Sequence, residues 1–421
     1  MINHGPRERA LLVGLQLNRM PEENIGESMQ ELEQLALTAG AEVVGEVVQV
    51  RKSPTAAFWI GKGKAEEIRD LCQGREIDVV IFNDDLTPLQ QRNLEGIMGV
   101  KVIDRTQIIL DIFAQRARSG EGKIQVELAQ LRYRLPRLTG KGVLLSQLGG
   151  GIGTRGPGET KLEIDRRQVR ERINRLEKAL QEICAHRALQ RKRRRELGLP
   201  TLTLVGYTNA GKSTLLNALV DAHIAVQDQL FTTLDPTIRR VILPDHRQVL
   251  ISDTVGFIRK LPYHLIAAFR ATLEEVHLAD LLLHVVDASH PFVEEQIAAV
   301  NQILKELEVT SPIITVYNKC DLIPSTVIDN LLRRSSMAVA ISALRKWNLD
   351  QLLEMVVTCL PDSRERLIFT IPYQKGEIIA SLARQGSIIN REYREEGIVV
   401  TVNVSLDEKA RIQEYLGSGD H

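Results

Sequence analysis

Gly206-Tyr207-Thr208-Asn209-Ala210-Gly211-Lys212-Ser213 decides the fold. The apolar, β-forming run Thr201 to Val205 precedes it, and a helical pattern, Thr214 to Leu219, follows it. A G-x-x-x-x-G-K-[ST] match set between a strand and a helix reads as a phosphate loop. Glycine lets the backbone wrap closely, so that successive N–H groups point at phosphate oxygens. In that reading Lys212 adds positive charge at the β- and γ-phosphates. Ser213 offers its hydroxyl to Mg2+, and the helix N-terminus favours the anion further.

Downstream of this loop the elements alternate as in a mostly parallel sheet. Ile238 to Leu243 and Gln248 to Ser252 read as strands, and Asp253-Thr254-Val255-Gly256-Phe257 follows at once. Leu281 to Asp287 reads as an apolar strand, and Val293 to Leu307 as an amphipathic helix. Ile313 to Tyr317 ends in Asn318-Lys319-Cys320-Asp321, Val339 to Ile341 leads into Ser342-Ala343-Leu344, and Leu349 to Val357 closes the domain. Between the phosphate loop and the first of these strands lies Ala222 to Thr237, low in periodicity, which contains Phe231-Thr232-Thr233-Leu234-Asp235-Pro236-Thr237. The order of these loops is that of a guanine-nucleotide switch. Thr232 or Thr233 adds a second hydroxyl to Mg2+, Asp253 holds the metal through water, and the Gly256 N–H meets the γ-phosphate. An Asp321 carboxylate accepts from both N1–H and the exocyclic amine of guanine, donors that adenine lacks there. Asn318 defines the base with it, Lys319 lays its stem across the ring, and the Ala343 N–H reaches O6.

Upstream, residues 8–104 alternate strand and helix patterns: Ala10 to Leu15, Val43 to Val50, Ile77 to Phe82 and Val100 to Ile103 as strands, with helices near Ser28 to Leu37, Ile68 to Leu71 and Leu89 to Ile97. Gly61-Lys62-Gly63-Lys64 reads as a basic turn; anion binding is the other use of such a turn. Ile124, Leu128, Leu131, Leu135 and Leu138 recur at alternating spacings of four and three. Leu162, Val169, Ile173, Leu176, Leu180 and Ile183 hold the equivalent positions of a second helix, interrupted at Arg166. Two such helices predict an antiparallel hairpin. Its tip, Gly140 to Thr160, is glycine-rich and carries Gly149, Arg155 and Gly158. A loop of that length without its own structure is uncommon unless it has a task.

The whole chain of 421 residues carries 54 basic and 54 acidic side chains, yet residues 116–196 hold 21 Lys/Arg against 9 Asp/Glu. A neutral average thus hides a basic arm, ending in Arg191-Lys192-Arg193-Arg194-Arg195. Few aromatics accompany it, which favours backbone contacts to structured RNA over stacking on single strands. The expected architecture is α/β and multidomain: an N-terminal α/β domain (1–115), a basic helical hairpin with a Gly-rich tip (116–197), a P-loop domain with a mostly parallel sheet and helices on both faces (198–361), and a small C-terminal α+β domain (362–421) reading strand, helix, strand, strand, helix. Cys72, Cys184, Cys320 and Cys359 are scattered without C-x-x-C spacing, which argues against structural zinc and fits a reducing cytosol. The N-terminus lacks the apolar core of a signal peptide, and no run reaches the length of a membrane span. A cytoplasmic monomer is expected.

These motifs together resemble the HflX family of ribosome-associated GTPases. The carriers are residues 206–213, Phe-Thr-Thr-Leu-Asp-Pro-Thr at 231–237, Asp-Thr-Val-Gly-Phe at 253–257, Asn-Lys-Cys-Asp at 318–321 and, most specific, Gly-Gly-Gly-Ile-Gly-Thr-Arg-Gly-Pro-Gly-Glu-Thr-Lys at 149–161. The resemblance spans nearly the whole chain. The family often has Phe-Ala-Thr where this chain has Phe-Thr-Thr, and the match selects Thr233 over Thr232. It implies a GTP hydrolase that uses Mg2+ and binds the large (50S) ribosomal subunit, with the N-terminal domain and hairpin reaching rRNA, and a role in splitting stalled ribosomes under stress. A GTP-gated assembly or rRNA-binding factor is the other expectation. Phe257 stands where many switch GTPases carry a water-orienting Gln, so slow unstimulated hydrolysis is expected.

Overall fold

The computed structural model describes residues 7–18, 25–138, 161–196, 199–220, 237–245, 247–258, 275–360, 365–384, 388–394 and 396–404. They fall into two units, which divide between Ile183 and Cys184.

In the first unit β1 (Arg9–Leu17), β2 (Glu42–Arg51), β3 (Val79–Phe82) and β4 (Lys101–Asp104) form a sheet of order β2-β1-β3-β4. Every pairing is parallel. The strand residues alternate between faces. Leu11, Val13 and Leu15 pack with Ile68 and Cys72 of α2 (Lys62–Arg75) and with Leu94 and Met98 of α3 (Pro88–Met98). Gly14 faces the other way, against Met29 of α1 (Ile25–Ala39). Local chemistry sets the helix starts. Thr87 and Gln90 form a capping box on α3, and Asp104 caps α4 (Arg105–Arg116) by accepting from Gln107 N at 2.9 Å.

The hairpin helices are α5 (Gly120–Arg134) and α6 (Lys161–Glu196). Leu128, Ile173 and Leu176 are buried between them, with Ile124, Leu131, Leu135, Val169 and Leu180 packed alongside. Leu138, Leu162 and Ile183, expected in the seam, lie outside this cluster. Two ion pairs flank it: Arg172 Nε to Glu127 Oε1 at 2.7 Å and Arg132 to Glu177 at 2.6 Å. In the heptad frame the first joins g to g and the second e to e. That is the pairing of an antiparallel coil, since parallel helices bring g against e. The hairpin base is tied to the sheet. Arg137 lies 3.5 Å over the Tyr133 ring and donates to Leu86 O and Asp104 Oδ2, while Tyr133 Oη donates to Asp104 Oδ1 at 2.8 Å. The expected tip, with Gly149, Arg155 and Gly158, lies outside the described residues.

In the second unit β5 (Thr201–Gly206), β6 (Thr237–Ile242), β7 (Gln248–Asp253), β8 (Leu281–Asp287), β9 (Ile313–Asn318) and β10 (Ala338–Ala340) make a sheet of order β10-β9-β8-β5-β7-β6. Only β6 runs antiparallel, against β7. Buried on both faces, β8 is apolar from Leu281 to Val286 apart from His284, as parallel strands are, and ends on Asp287. The edge strand β6 instead carries Arg239 and Arg240, charges that discourage further pairing. Helices cover both faces. Leu215 and Leu216 of α7 (Lys212–Val220) and Leu352 and Val356 of α10 (Leu349–Cys359) share one core. Val293 and Ile297 of α8 (Val293–Glu306) and Leu331 of α9 (Ser325–Leu332) share the other with Val286 and Tyr317.

The chain closes with β11 (Glu365–Ile371), α11 (Gly376–Arg384), β12 (Ile388–Arg394) and β13 (Gly397–Val404). Their antiparallel sheet, of order β11-β13-β12, is packed by Ile371, Ile379, Leu382, Val400 and Val402. The final helix expected from the sequence lies outside the described residues.

Candidate nucleotide site

The carboxyl ends of β5, β7, β8 and β9 meet at one rim of the second sheet, where open α/β sheets bind their ligands. The loop from Tyr207 to Gly211 leaves β5 there, and α7 begins at Lys212. Gly211 sits at φ +93°, and a Cβ on it would come 2.2 Å from Asn318 Nδ2. Only glycine fits at that crossing. Asn209 also takes a left-handed φ of +61°.

Lys212 folds back under the loop. Its Nζ donates to Gly206 O at 3.0 Å and to Tyr207 O at 2.7 Å. Burial lowers its pKa to about 8, opposed by the attraction of Asp253. Ser213 Oγ donates to Asp253 Oδ2 at 2.7 Å. Two of the three side chains expected at a metal therefore stand together, a hydroxyl and a carboxylate oxygen of the hard type that suits Mg2+. Thr254 Oγ1 donates to Leu204 O at 2.7 Å, which holds the start of the next loop down, and Val255 is buried.

Gly256 presses on the phosphate loop: a Cβ there would lie 2.9 Å from Thr208 Cα and 3.0 Å from Lys212 Nζ. Phe257 fastens this contact. Its carbonyl accepts from Thr208 N at 2.7 Å, its N–H donates to Gly206 O at 3.0 Å, and its ring is buried. Thr208 Oγ1 is buried and makes no hydrogen bond among the described residues.

Asn318 ties three loops. Its Nδ2 donates to Ala210 O and its Oδ1 accepts from Ala343 N, both at 2.9 Å. The Ala343 N–H expected at guanine O6 is thus already engaged, and a contact to O6 would share it. Lys319 follows at φ +62°. Cys320 is buried, its N–H donates to Ile341 O, and burial pushes its thiol up to about 11. That makes Cys320 a packing residue with no thiolate chemistry. Asp321 stands in the short turn Cys320–Leu322, with Arg345 Nε 4.0 Å from its Oδ2. Ser342 Oγ accepts from Arg345 N and pairs by backbone with Trp347, while Leu344 is exposed. Phe231, Thr232, Thr233, Leu234 and Asp235 lie outside the described residues.

Three residues of this neighbourhood escaped sequence reasoning. Arg345 and Asp287 carry charge beside the Asn318–Asp321 loop. His284 is buried in β8 opposite Val205. Burial and, next, the Lys212 charge lower its pKa to about 4. One signal was available for His284: a polar residue inside an otherwise apolar strand.

Three family models match successive stretches of the chain between residues 26 and 319. A GTP-binding GTPase N-terminal model matches residues 26–114, a GTP-binding GTPase middle-region model 116–194, and a 50S ribosome-binding GTPase model 201–319. The GTPase HflX of Caldanaerobacter subterraneus subsp. tengcongensis is 50% identical over 411 residues, covering 97% of this chain and 94% of that protein. The chain belongs to the HflX family of GTPases. The HflX of Escherichia coli K12 is 43% identical over 383 residues, covering 90% of each chain. A GTP-binding protein of Sulfolobus solfataricus, solved in complex with GDP, is 26% identical with a TM-score of 0.43, covering 84% of this chain and 98% of that one. Among the described residues of this HflX-family chain, no helix is long and apolar enough to cross a membrane.

Proposed function

We propose that this chain is a GTP-hydrolysing switch that associates in the cytoplasm with the large ribosomal subunit and splits stalled or idle ribosomes under stress. The observation that carries the reading is Asn318, whose amide bonds both the phosphate loop and the Ser342–Leu344 loop. Base reading and phosphate holding thereby belong to one site. Lys212 exchanges the carbonyls of Gly206 and Tyr207 for phosphate oxygens. Ser213, Asp253 and Thr233 are the residues to hold Mg2+, which when bound supplies charge neutralisation at the β- and γ-phosphates. Gly256 and Thr233 meet the γ-phosphate, and its loss releases their loops. Phe257 brings no group that orients water, so the complete hydrolytic site is assembled on the ribosome.

The basic arm of residues 116–196 supports an RNA partner, with the Gly149–Gly158 tip as its reaching end. Acting as a chaperone of rRNA under GTP control is the second reading, favoured by the same charge. Sedimentation of intact ribosomes with the protein and a non-hydrolysable GTP analogue separates them. Loss of the joined particle supports splitting, unchanged particles carrying bound protein support docking or assembly, and absence of binding sinks both.

A further inference from the structure

We infer that Asp287 is a positioning residue for guanine, acting by pinning Lys319; the inference rests on the guanine-nucleotide reading of this site. Asp287 ends β8 and lies in register with Asn318, the last residue of β9. The Ala288 N–H donates to Asn318 O at 2.9 Å, so the two strand ends leave the sheet as one ledge. The next residue, Lys319, takes the left-handed conformation, and its Nζ reaches Asp287 Oδ2 at 2.6 Å. Neither side chain is freely solvated: Asp287 is 13% exposed and Lys319 26%.

The carboxylate is itself held. Asp287 Oδ1 accepts from Ser289 N at 3.0 Å and from Ser289 Oγ at 2.6 Å. With both oxygens occupied, Asp287 has little freedom to swing away from the ammonium. The Lys319 stem therefore runs from the base-reading loop to a fixed carboxylate. A stem so fixed offers an apolar edge in place before the base arrives.

Preorganisation is where the gain lies. A free lysine side chain loses much rotamer freedom when it settles on a ligand. Here that loss is taken on folding. Lys319 contributes a ledge to the base and its charge goes to Asp287. Asp321 keeps the separate task of reading the guanine edge. Asp287 touches no nucleotide in this scheme and acts through Lys319 alone.

The test is GDP and GTP affinity of the full chain by fluorescence titration, for the parent, Asp287→Ala, Lys319→Met and the double variant. Lys319→Met keeps an unbranched apolar stem and removes the ammonium. Asp287→Ala is expected to lose about tenfold in affinity in the parent background and nothing in the Lys319→Met background. A similar loss in both backgrounds would show that Asp287 only braces its own turn through Ser289, and no loss in either would show that the pair is idle. Both results overturn the inference. Should Asp287→Ala not fold, Asp287→Asn serves in its place, since the amide keeps the size and gives up the charge. Parent protein that ignores GDP and GTP altogether sinks the guanine reading instead, a result distinct from the others.

Discussion

Asn318 Nδ2 donates to the carbonyl of Ala210, a residue 108 positions earlier in the chain. The side chain expected to define the base is thus also a strut of the phosphate loop, and Gly211 must lack a side chain to let it pass. Asn318→Ala leaves the Ala210 carbonyl and the Ala343 N–H buried without this partner, at a cost of about 1–3 kcal/mol each. Both nucleotide binding and thermal stability should fall. Asp321→Asn, which keeps the size of the side chain, should instead shift preference from guanine toward xanthine nucleotides with little change in melting temperature. Melting curves and nucleotide titrations of the two variants check this. Equal melting temperatures would remove the structural part of the Asn318 argument.

Lys212 makes nucleotide affinity depend on pH. Its folded pKa of about 8 lies below the ordinary value of 10.5. The unfolded chain therefore binds more protons between those values, and the stability that buried Lys212 costs is recovered as pH rises through that window. Phosphate oxygens beside the ammonium act the other way and raise its pKa. Binding should take up a proton near and above pH 8, and GDP affinity should fall as pH climbs. Calorimetry at about pH 8.5 in two buffers of different ionisation enthalpy measures the uptake. Identical heats in both buffers would place the ammonium away from the phosphates.

Much of this site was legible because it rests on short motifs whose spacing is set by one loop or one turn. The phosphate loop, Asp253 and the Asn318–Asp321 turn announce themselves by residue type. The parallel strands read clearly for a related reason: burial on both faces leaves runs such as Leu281 to Val285 nearly all apolar. The hairpin seam was legible from its spacing, since Ile124 to Leu135 and Val169 to Leu180 meet as expected. The cross-links were not. Asp287 and Lys319 stand 32 positions apart, and no local pattern couples them. The engagement of the Ala343 N–H by Asn318 is equally a tertiary fact. So is the clamp on the hairpin base, where Asp104 gathers Tyr133 and Arg137 from one segment and Leu86 from another.

Phe257 occupies the position after Gly256, and its role differs from that of a catalytic glutamine. The ring is 2% exposed, and the backbone bonds the phosphate loop in both directions. Phe257→Gln should not speed hydrolysis, because the new amide points into a packed interior. It should destabilise the chain by about 1–3 kcal/mol through burial of an unmatched polar group. Single-turnover assays of the free protein should be slow for both parent and variant, and faster for the parent when large subunits are added. Rapid turnover by the parent alone would defeat the idea that the partner completes the site.

The hairpin predicts a separation of functions. Its helices are held by a seam and by the pairs Arg172–Glu127 and Arg132–Glu177. Its base is clamped through Arg137 and Asp104. Removing residues Gly149 to Gly158 should therefore leave GTP binding and the melting temperature of the chain nearly unchanged, since none of those contacts uses them. Engagement of ribosomes should weaken, and the remaining affinity should still fall steeply with salt, because the basic residues of α6 stay in place to meet phosphate. Nucleotide titration and ribosome sedimentation at two salt concentrations measure the two halves of the prediction. Full ribosome engagement after the deletion would reduce the tip to a connector, and salt-independent binding would point to a protein partner in place of RNA.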